Sequence, residues 1–172
     1  MRYTWLNIFN LNINKSITRL LRTIPVFKGL KSRELLLISS VLFRRKYDEG
    51  EYIFHMQDPS SAMYVVNSGK VTITFETGLK KENTLILSRG DFFGEIALVD
   101  NSRRTASAIA AETSTLLVLT RPELERLVKT NSSLANKILL NLANILALRL
   151  RLTNERLFKI EKKLRQNAAN IR

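Results

Sequence analysis

The spacing of the hydrophobic residues changes twice along this chain, and these changes limit the folds that it can adopt. From 17 to 43 apolar residues recur every three or four positions, which is typical of helices that pack one face on a core. From 43 to 120 short runs of β-branched and aromatic residues alternate with turn residues, so we expect roughly seven or eight antiparallel strands. After Thr120 the helical spacing returns. The predicted fold is α+β: an antiparallel β-roll or jelly roll (double-stranded β-helix), flanked by N-terminal helices and a long C-terminal helix.

The same changes divide the chain into three predicted parts. They are an N-terminal helical segment at 1–43, the β-roll at 44–120 and C-terminal lid and dimerisation helices at 121–170. In the first part, Pro25 interrupts the helical pattern, and Ser32 is the expected N-cap of the second helix. Residues 1–15 mix apolar side chains with asparagines, and we expect a weak helix or an arm there.

The last part is predicted to form two helices. Thr120 and Glu123 have the spacing of a capping box, and a long helix follows from 132 or 133 to about 166. Two heptad series form a seam along it: Leu139, Leu146, Thr153 and Ile160, with Ala143, Leu150, Leu157 and Leu164. We expect a parallel homodimer through 139–164, in which the polar Thr153 fixes the register. In the alternative, the first half of the helix packs on the roll and the rest frays.

The charge of the chain favours acidic partners. The formal net charge is +13, from 28 Lys and Arg against 15 Asp and Glu. Such a field attracts nucleic acid, an anionic membrane surface or an acidic protein face without specificity. Because the basic residues are spread along the chain, a role in solubility is the alternative.

Composition excludes several classes of protein. The chain has no cysteine, which excludes disulfides and thiolate metal sites and favours a cytoplasmic location. Its longest uncharged apolar stretch, 138–148, is much shorter than the roughly 20 residues of a spanning helix. His55 is the only histidine, and no cluster of carboxylates accompanies it. We therefore expect no metal, no cofactor and no enzyme active site.

The strongest candidate for a binding site is a turn at Gly94 followed by Glu95, with Arg103 and Arg104 on the returning segment. A glycine turn that runs into a short helical turn presents free backbone amides, which suit an anion. Arg104 could supply the planar fork that matches a phosphate. Glu95 is an acceptor suited to a ribose 2′-hydroxyl, which a cyclic 3′,5′-nucleotide leaves free. By themselves, a Gly-Glu turn and a later Arg do not identify this ligand.

The segment 93–110 resembles the phosphate-binding cassette of the cyclic-nucleotide-binding domain family. The family shares Phe-Gly-Glu, a small helix, and Arg followed by Ser, Thr or Ala. Other segments resemble its earlier strand pair and its N-terminal helix junction: Asp58, Met63-Tyr64-Val65-Val66, Ser68-Gly69-Lys70-Val71 and Val26-Phe27-Lys28-Gly29-Leu30. The resemblance extends over 17–152 and implies a sensor domain like that of the catabolite activators, without their DNA-binding module.

The resemblance also implies which residues bind the ligand: Gly94, Glu95, Ile96, Ala97, Arg103, Arg104, Thr105 and Ala106. Arg104 would bind the exocyclic phosphate oxygens and Glu95 the ribose hydroxyl. Ile96 and Ala97 would offer backbone amides, and Thr105 a hydroxyl near the phosphate and the base. Because relatives with a hydroxyl at this position bind either nucleotide, cyclic AMP is the expected ligand and cyclic GMP the alternative.

Other positions bear on the purine and on departures from the family. Thr153 and Asn154 resemble the polar residues that reach the purine across a dimer, although a direct count from Arg104 places those positions at Arg149 and Leu150.

Arg103 stands where many relatives have Pro, which adds a cation near the phosphate. Gln57 stands where relatives often have Gly, so the conformation of its loop is an open question.

Three functions remain as alternatives. We favour a regulatory sensor that transmits its ligand state through the C-terminal helices to an unidentified protein partner. A transcription regulator would need a helix-turn-helix module, and too few residues follow Leu164 for one, unless the chain is a fragment. In a degenerate scaffold the pocket would be silent, and Glu95 and Arg104 would pair with each other.

Overall fold

The computed structural model of the protein describes residues 15–77 and 80–169, so the prediction for 1–15 lies almost wholly outside the described residues. Helix α1 is described over 15–21, and a 3-10 helix follows at Pro25–Phe27. Helix α2 covers Ser32–Val41. Eight strands then run between Phe43 and Thr120, as the alternating pattern predicts.

The strands form two antiparallel four-stranded sheets, ordered β1-β8-β3-β6 and β2-β7-β4-β5. Their bounds are β1 Phe43–Tyr47, β2 Tyr52–Phe54, β3 Ala62–Ser68, β4 Val71–Thr77, β5 Lys80–Leu87, β6 Phe92–Phe93, β7 Ser107–Ala110 and β8 Ser114–Thr120. Apart from the consecutive pair β4 and β5, neighbours in a sheet are distant in sequence, so the chain passes repeatedly between the sheets. The predicted α+β roll is confirmed.

Two hydrophobic clusters hold these layers together. Val66 of β3 and Leu116 of β8 point into the roll, where they pack with residues of the second sheet. Val65 and Leu117 point the opposite way, into a cluster shared with the helices. Because successive side chains of a strand alternate between faces, the first sheet supplies both clusters. The helices are thereby packed directly on the sheet that carries β6.

The first helix of the C-terminal part, α3, covers Arg121–Thr130 and has the predicted cap. The hydroxyl of Thr120 accepts a hydrogen bond from the Glu123 amide at 3.4 Å. The N-cap of α2 differs from the prediction: it is Lys31, and Ser32 is the first helical residue. Glu34 accounts for the difference, because its carboxylate accepts from the Lys31 amide at 2.6 Å and satisfies that end.

Helix α4 covers Ser132–Ala169 and is divided by burial. Leu134, Ile138 and Leu142 are completely buried in the cluster shared with α1 and α2. The side-chain amide of Asn141 donates to the carbonyl oxygens of Val26 and Lys28 at 3.0 and 2.9 Å, which connects α4 to the 3-10 helix Pro25–Phe27 and the residue after it. From 147 to 167 every residue is exposed, including the seam residues there. No helix among the described residues is long and apolar enough to span a bilayer.

Candidate functional site

Gly94 makes the sharp turn between β6 and the 3-10 helix Glu95–Leu98. Its φ of +71° lies in the left-handed region, which a residue without a Cβ adopts at no steric cost. A Cβ at Gly94 would lie 2.6 Å from Nη1 of Arg104 and 3.2 Å from the carbonyl oxygen of Ala62. Glycine is therefore required at position 94 for two reasons: the backbone conformation of the turn, and the space that the Arg104 guanidinium occupies.

Arg104 is a buried cation, with 6% of its surface exposed. Its Nη2 donates to the carbonyl oxygen of Ala62 at 2.9 Å, and its guanidinium lies 4.0 Å from the ring centroid of Phe54. Its Nε has no hydrogen-bond partner, and none of the ion pairs among the described residues includes it. Burial lowers the pKa of Arg104 from its ordinary value. A buried charge is costly unless it is neutralised, so this arrangement favours an anionic ligand.

The backbone of Arg104 is held from both sides by the turn that precedes β3. Its amide donates to the carbonyl oxygen of Asp58, and its carbonyl oxygen accepts from the Gln57 amide, each at 2.9 Å. Gln57 has a φ of +70°, so it adopts the conformation that the glycine of relatives would adopt readily. Arg103 supports that turn, because its Nη1 donates to the Gln57 carbonyl oxygen at 2.7 Å.

Glu95 is 1% exposed and forms an ion pair with Arg149 of α4. Arg149 also lies over the ring of Phe92, with its guanidinium carbon 5.5 Å from the centroid. The pairing of Glu95 with Arg104, which a silent pocket would require, is not what the structure contains. The cassette carboxylate is instead connected to the long helix.

The amides of the 3-10 helix are not equivalent. The Ala97 amide, which was expected to face the ligand, donates to the carbonyl oxygen of Gly94 at 3.2 Å. The reason is geometric, because a 3-10 helix closes its first hydrogen bond between residues three apart. The amide of Ile96 precedes that hydrogen bond and lies at the open end of the helix.

These elements surround a cavity of about 290 Å³. The cavity is lined by all eight residues predicted from the cassette: Gly94, Glu95, Ile96, Ala97, Arg103, Arg104, Thr105 and Ala106. Its other walls are mainly apolar and come from the strands: Phe54, Ile73, Phe75, Leu85, Leu87, Phe92 and Phe93. An apolar cavity with a few convergent polar groups is typical of a small-molecule site. No group of three His, Cys, Asp or Glu side chains suited to a metal ion occurs in the described part of the chain.

Comparison with known proteins gives the family. The family model for the cyclic nucleotide-binding domain matches residues 44–131, which is half of the chain. The chain belongs to the cyclic nucleotide-binding domain family. The match contains the cassette and the turn that holds Arg104.

Individual relatives of this cyclic nucleotide-binding domain include bacterial and animal proteins. The cyclic AMP receptor protein of Thermus thermophilus is 42% identical over 129 residues, which are 74% of this chain and 57% of that protein. Isozyme 2 of the cGMP-dependent protein kinase of Drosophila melanogaster is 34% identical over 112 residues, 63% of this chain and 12% of the kinase. The crystal structure of the Thermus thermophilus catabolite activator protein superposes with a TM-score of 0.72 at 37% identity, covering 80% of this chain and 63% of that one. The chain thus spans less than two thirds of each of these relatives.

The sequence indicated only part of this nucleotide-binding domain's cavity. Arg149 lines it, at the position that the direct count from Arg104 gave and one turn before the positions that the resemblance favoured. Thr153 and Asn154 do not line it and are exposed on α4. The apolar walls could have been found from alternation alone, since Ile73 and Phe75 of β4 point to the same face.

Proposed function

We propose that this protein binds a cyclic nucleoside monophosphate in the cavity and reports its presence through the C-terminal helices. Cyclic AMP is the expected ligand and cyclic GMP the alternative. The observation that carries the proposal is Arg104, a buried guanidinium that forms no ion pair with any described residue and lines the same cavity as the buried Glu95. A cyclic phosphodiester carries one negative charge, which would neutralise this cation.

Different groups of the cassette would bind the phosphate and the ribose of the ligand. The phosphate would accept hydrogen bonds from Arg104 and from amides at the open end of the 3-10 helix. The ribose 2′-hydroxyl would donate to Glu95, which can accept it while remaining paired with Arg149, because a carboxylate offers about four lone-pair sites. Thr105 would add a hydroxyl beside the phosphate and the base. The apolar walls suit a purine.

The names of two relatives support the two candidate nucleotides. The Thermus thermophilus relative is named for cyclic AMP and the Drosophila kinase for cyclic GMP. The higher identity of the first, 42% against 34%, favours cyclic AMP for this chain.

A parallel homodimer through the seam of α4 would complete the purine site. The seam series place Arg149 at a g position and Asn154 at the following e position, and g faces e of the partner in parallel coiled coils. Asn154 of a second copy would then lie beside Arg149, at the mouth of the cavity, with Thr153 in the seam. Parallel packing is favoured by charge, because the g positions Arg149, Arg156 and Lys163 would repel one another in an antiparallel pair.

The output would be a population shift of the C-terminal helices. A ligand can bias two conformations only by binding one of them more tightly. Glu95 supplies that difference, since it contacts α4 through Arg149 and would also bind the ribose. The helices would present one of two arrangements to a protein partner.

The exposed part of α4 favours a second candidate function, the binding of a polyanion. From 149 to 167 its exposed charged side chains are predominantly basic. Only Glu155 and Glu161 are of the opposite sign there, and the basic ones are Arg149, Arg151, Arg156, Lys159, Lys162, Lys163 and Arg165. Binding of nucleic acid through this surface would depend steeply on salt. Titration with duplex DNA at two salt concentrations tests it, and equal affinity at both would contradict it.

Calorimetric titration with cyclic AMP and, separately, with cyclic GMP tests the proposed function. We expect micromolar or tighter binding of at least one nucleotide by protein freed of endogenous ligand. Arg104→Ala should weaken binding by about 2–4 kcal/mol, because a desolvated phosphate loses its charged hydrogen bonds. Arg126→Ala is the matched control, since Arg126 is exposed on α3, where it pairs with Glu123 and does not line the cavity. No heat and no thermal shift with either nucleotide would contradict the proposal.

A further inference from the structure

Arg121, the first residue of α3, joins three separate parts of the protein through four hydrogen bonds. Its backbone amide donates to the carbonyl oxygen of Ser61 at 2.7 Å. Its Nε donates to the carbonyl oxygen of Ala97, and its Nη2 to those of Ser60 and Asp100, each at 2.7 Å. The guanidinium therefore connects α3 to the loop before β3 and to the far end of the cassette helix.

Two of the carbonyl groups that Arg121 binds lie at the closing end of the 3-10 helix Glu95–Leu98: that of Ala97 within the helix and that of Asp100 two residues after it. The last carbonyl groups of a helix have no partner within it, and a cation there is favoured by the helix dipole. The opposite end of this same short helix, at Gly94 and Glu95, lines the ligand cavity. This helix of four residues thus lines the cavity from its start as far as Ala97 and is bound by Arg121 at its closing end.

Helix α3 is packed so that a displacement of its first residue would reach α4. Leu124 and Leu127 are buried in the same cluster as Leu134 and Ala135 of α4. Asn131, between the two helices, donates its amide to the Leu127 carbonyl oxygen and accepts from the Leu134 amide through its side chain. The two helices are therefore connected by packing and by a hydrogen-bonded junction.

We propose that Arg121 is a positioning residue that transmits the ligand state of the cassette to helices α3 and α4. This inference rests on the proposed function and adds the residue through which the sensor is regulated. Ligand binding at Gly94 and Glu95 shifts the 3-10 helix and, with it, the Ala97 and Asp100 carbonyl groups that the guanidinium binds. Arg121 moves the start of α3, and α4 follows.

A purely structural role for Arg121 makes a different prediction. If the hydrogen bonds of Arg121 are equally strong in the free and the ligand-bound protein, their removal changes stability but not the response to ligand. A coupling residue changes the response itself, because its hydrogen bonds differ between the two states. The readout must therefore be the ligand-dependent displacement of α3, and not stability alone.

The experiment uses Arg121→Gln in the full chain, which retains the amide hydrogen bond to Ser61 but loses the guanidinium. The chain has no cysteine, so a spin label reacts only with cysteines that are introduced. These are Arg89→Cys, in the exposed turn before β6, and Lys129→Cys on α3. Distances between the labels are measured with and without cyclic AMP, and binding by calorimetry. Arg126→Gln, on the exposed side of the same helix, is the matched control. Arg121→Lys keeps the charge on a single donor group and serves if the Gln variant fails to fold.

The expected result is that wild-type protein and Arg126→Gln show a ligand-dependent change in distance. In Arg121→Gln and Arg121→Lys this change should fall to less than about half, although both still bind nucleotide. If the variants bind and respond like wild type, the coupling role is wrong while the proposed function stands. If wild type gives no heat with cyclic AMP or cyclic GMP, the proposed function fails and the coupling role fails with it.

Discussion

Glu95, buried in the cassette, forms an ion pair with Arg149 on the exposed part of α4. Their environments differ sharply: the Glu95 side chain is 1% exposed and that of Arg149 51%. Among the ion pairs of the described residues, this one alone joins the cassette to the long helix. The carboxylate proposed to bind the ribose is therefore also the group that holds α4 against the cavity.

Removal of Arg149 should destabilise the protein through Glu95. Arg149→Gln leaves a buried carboxylate without its charged partner and should lower the free energy of unfolding by about 1–3 kcal/mol. Chemical denaturation of Arg149→Gln, Glu95→Gln and the double variant measures the coupling. Arg156→Gln, two turns later on α4 and exposed, should change little. Additive effects of the two single substitutions would argue against the ion pair.

Gly94→Ala should be far more damaging than Gly29→Ala. Both glycines have positive φ values, +71° and +78°, so both substitutions carry backbone strain of about 1 kcal/mol or more. Only at Gly94 does the new Cβ also meet Arg104, since nothing lies within 4 Å at Gly29. Thermal unfolding and nucleotide titration of both variants test this. Equal losses of stability with unchanged nucleotide affinity would refute the steric role.

The tie between α2 and α4 should depend on pH. The hydrogen bond from Lys137, and a second from the Lys31 amide, lower the pKa of Glu34 from its ordinary value of 4.5. Since the folded pKa lies below the unfolded one, the stabilisation is present above the unfolded pKa and is lost as pH falls through the folded pKa. Glu34→Gln should therefore cost about 0.5–1 kcal/mol at neutral pH and progressively less at a low pH, below the unfolded pKa.

Denaturant unfolding at the two pH values measures this difference. Glu125→Gln, an exposed substitution on α3, provides the control for the loss of one carboxylate. If Glu34→Gln cost as much at low pH as at neutral pH, the ion pair would not be the source of the stabilisation.

Dimerisation through α4 should depend on the seam and not on exposed leucines in general. Leu157, in the seam, and Leu148, outside it, are 53% and 51% exposed in the single chain. Leu157→Lys should shift the protein to monomer in sedimentation equilibrium, because a buried unpaired charge opposes association. Leu148→Lys should leave the association constant almost unchanged. A wild-type monomer at high micromolar concentration would contradict the dimer.

Anchoring of α4 to the N-terminal segment should depend on Asn141. Asn141→Ala removes two hydrogen bonds, to the carbonyl oxygens of Val26 and Lys28, and should cost about 1–2 kcal/mol of stability. Asn144→Ala, on the exposed side of the same helix, is the matched control. Thermal unfolding of the two variants tests this, and equal midpoints would show that the Asn141 hydrogen bonds do not anchor α4.

Local signals in the sequence were sufficient for the elements, and the family resemblance located the cassette. Alternation of apolar residues gave the strands, and the Thr120 hydroxyl caps α3 as its spacing predicts. All eight predicted cassette residues line one cavity, because the Gly94 turn and the segment that leads into β7 come together over a short stretch of chain. The predicted N-cap at Ser32 was one residue late, since Glu34 satisfies the Lys31 amide.

Only the tertiary structure decided which distant residues meet the cassette. Arg149 reaches Glu95 across 54 positions of sequence, and Arg121 reaches Ser60 across 61. Such contacts depend on the angle at which helices pack on a sheet, and hydrophobic spacing specifies only which face of a helix is buried. The sequence therefore determined the fold and the groups that could bind an anion, and tertiary packing determined which arginines connect them to the helices.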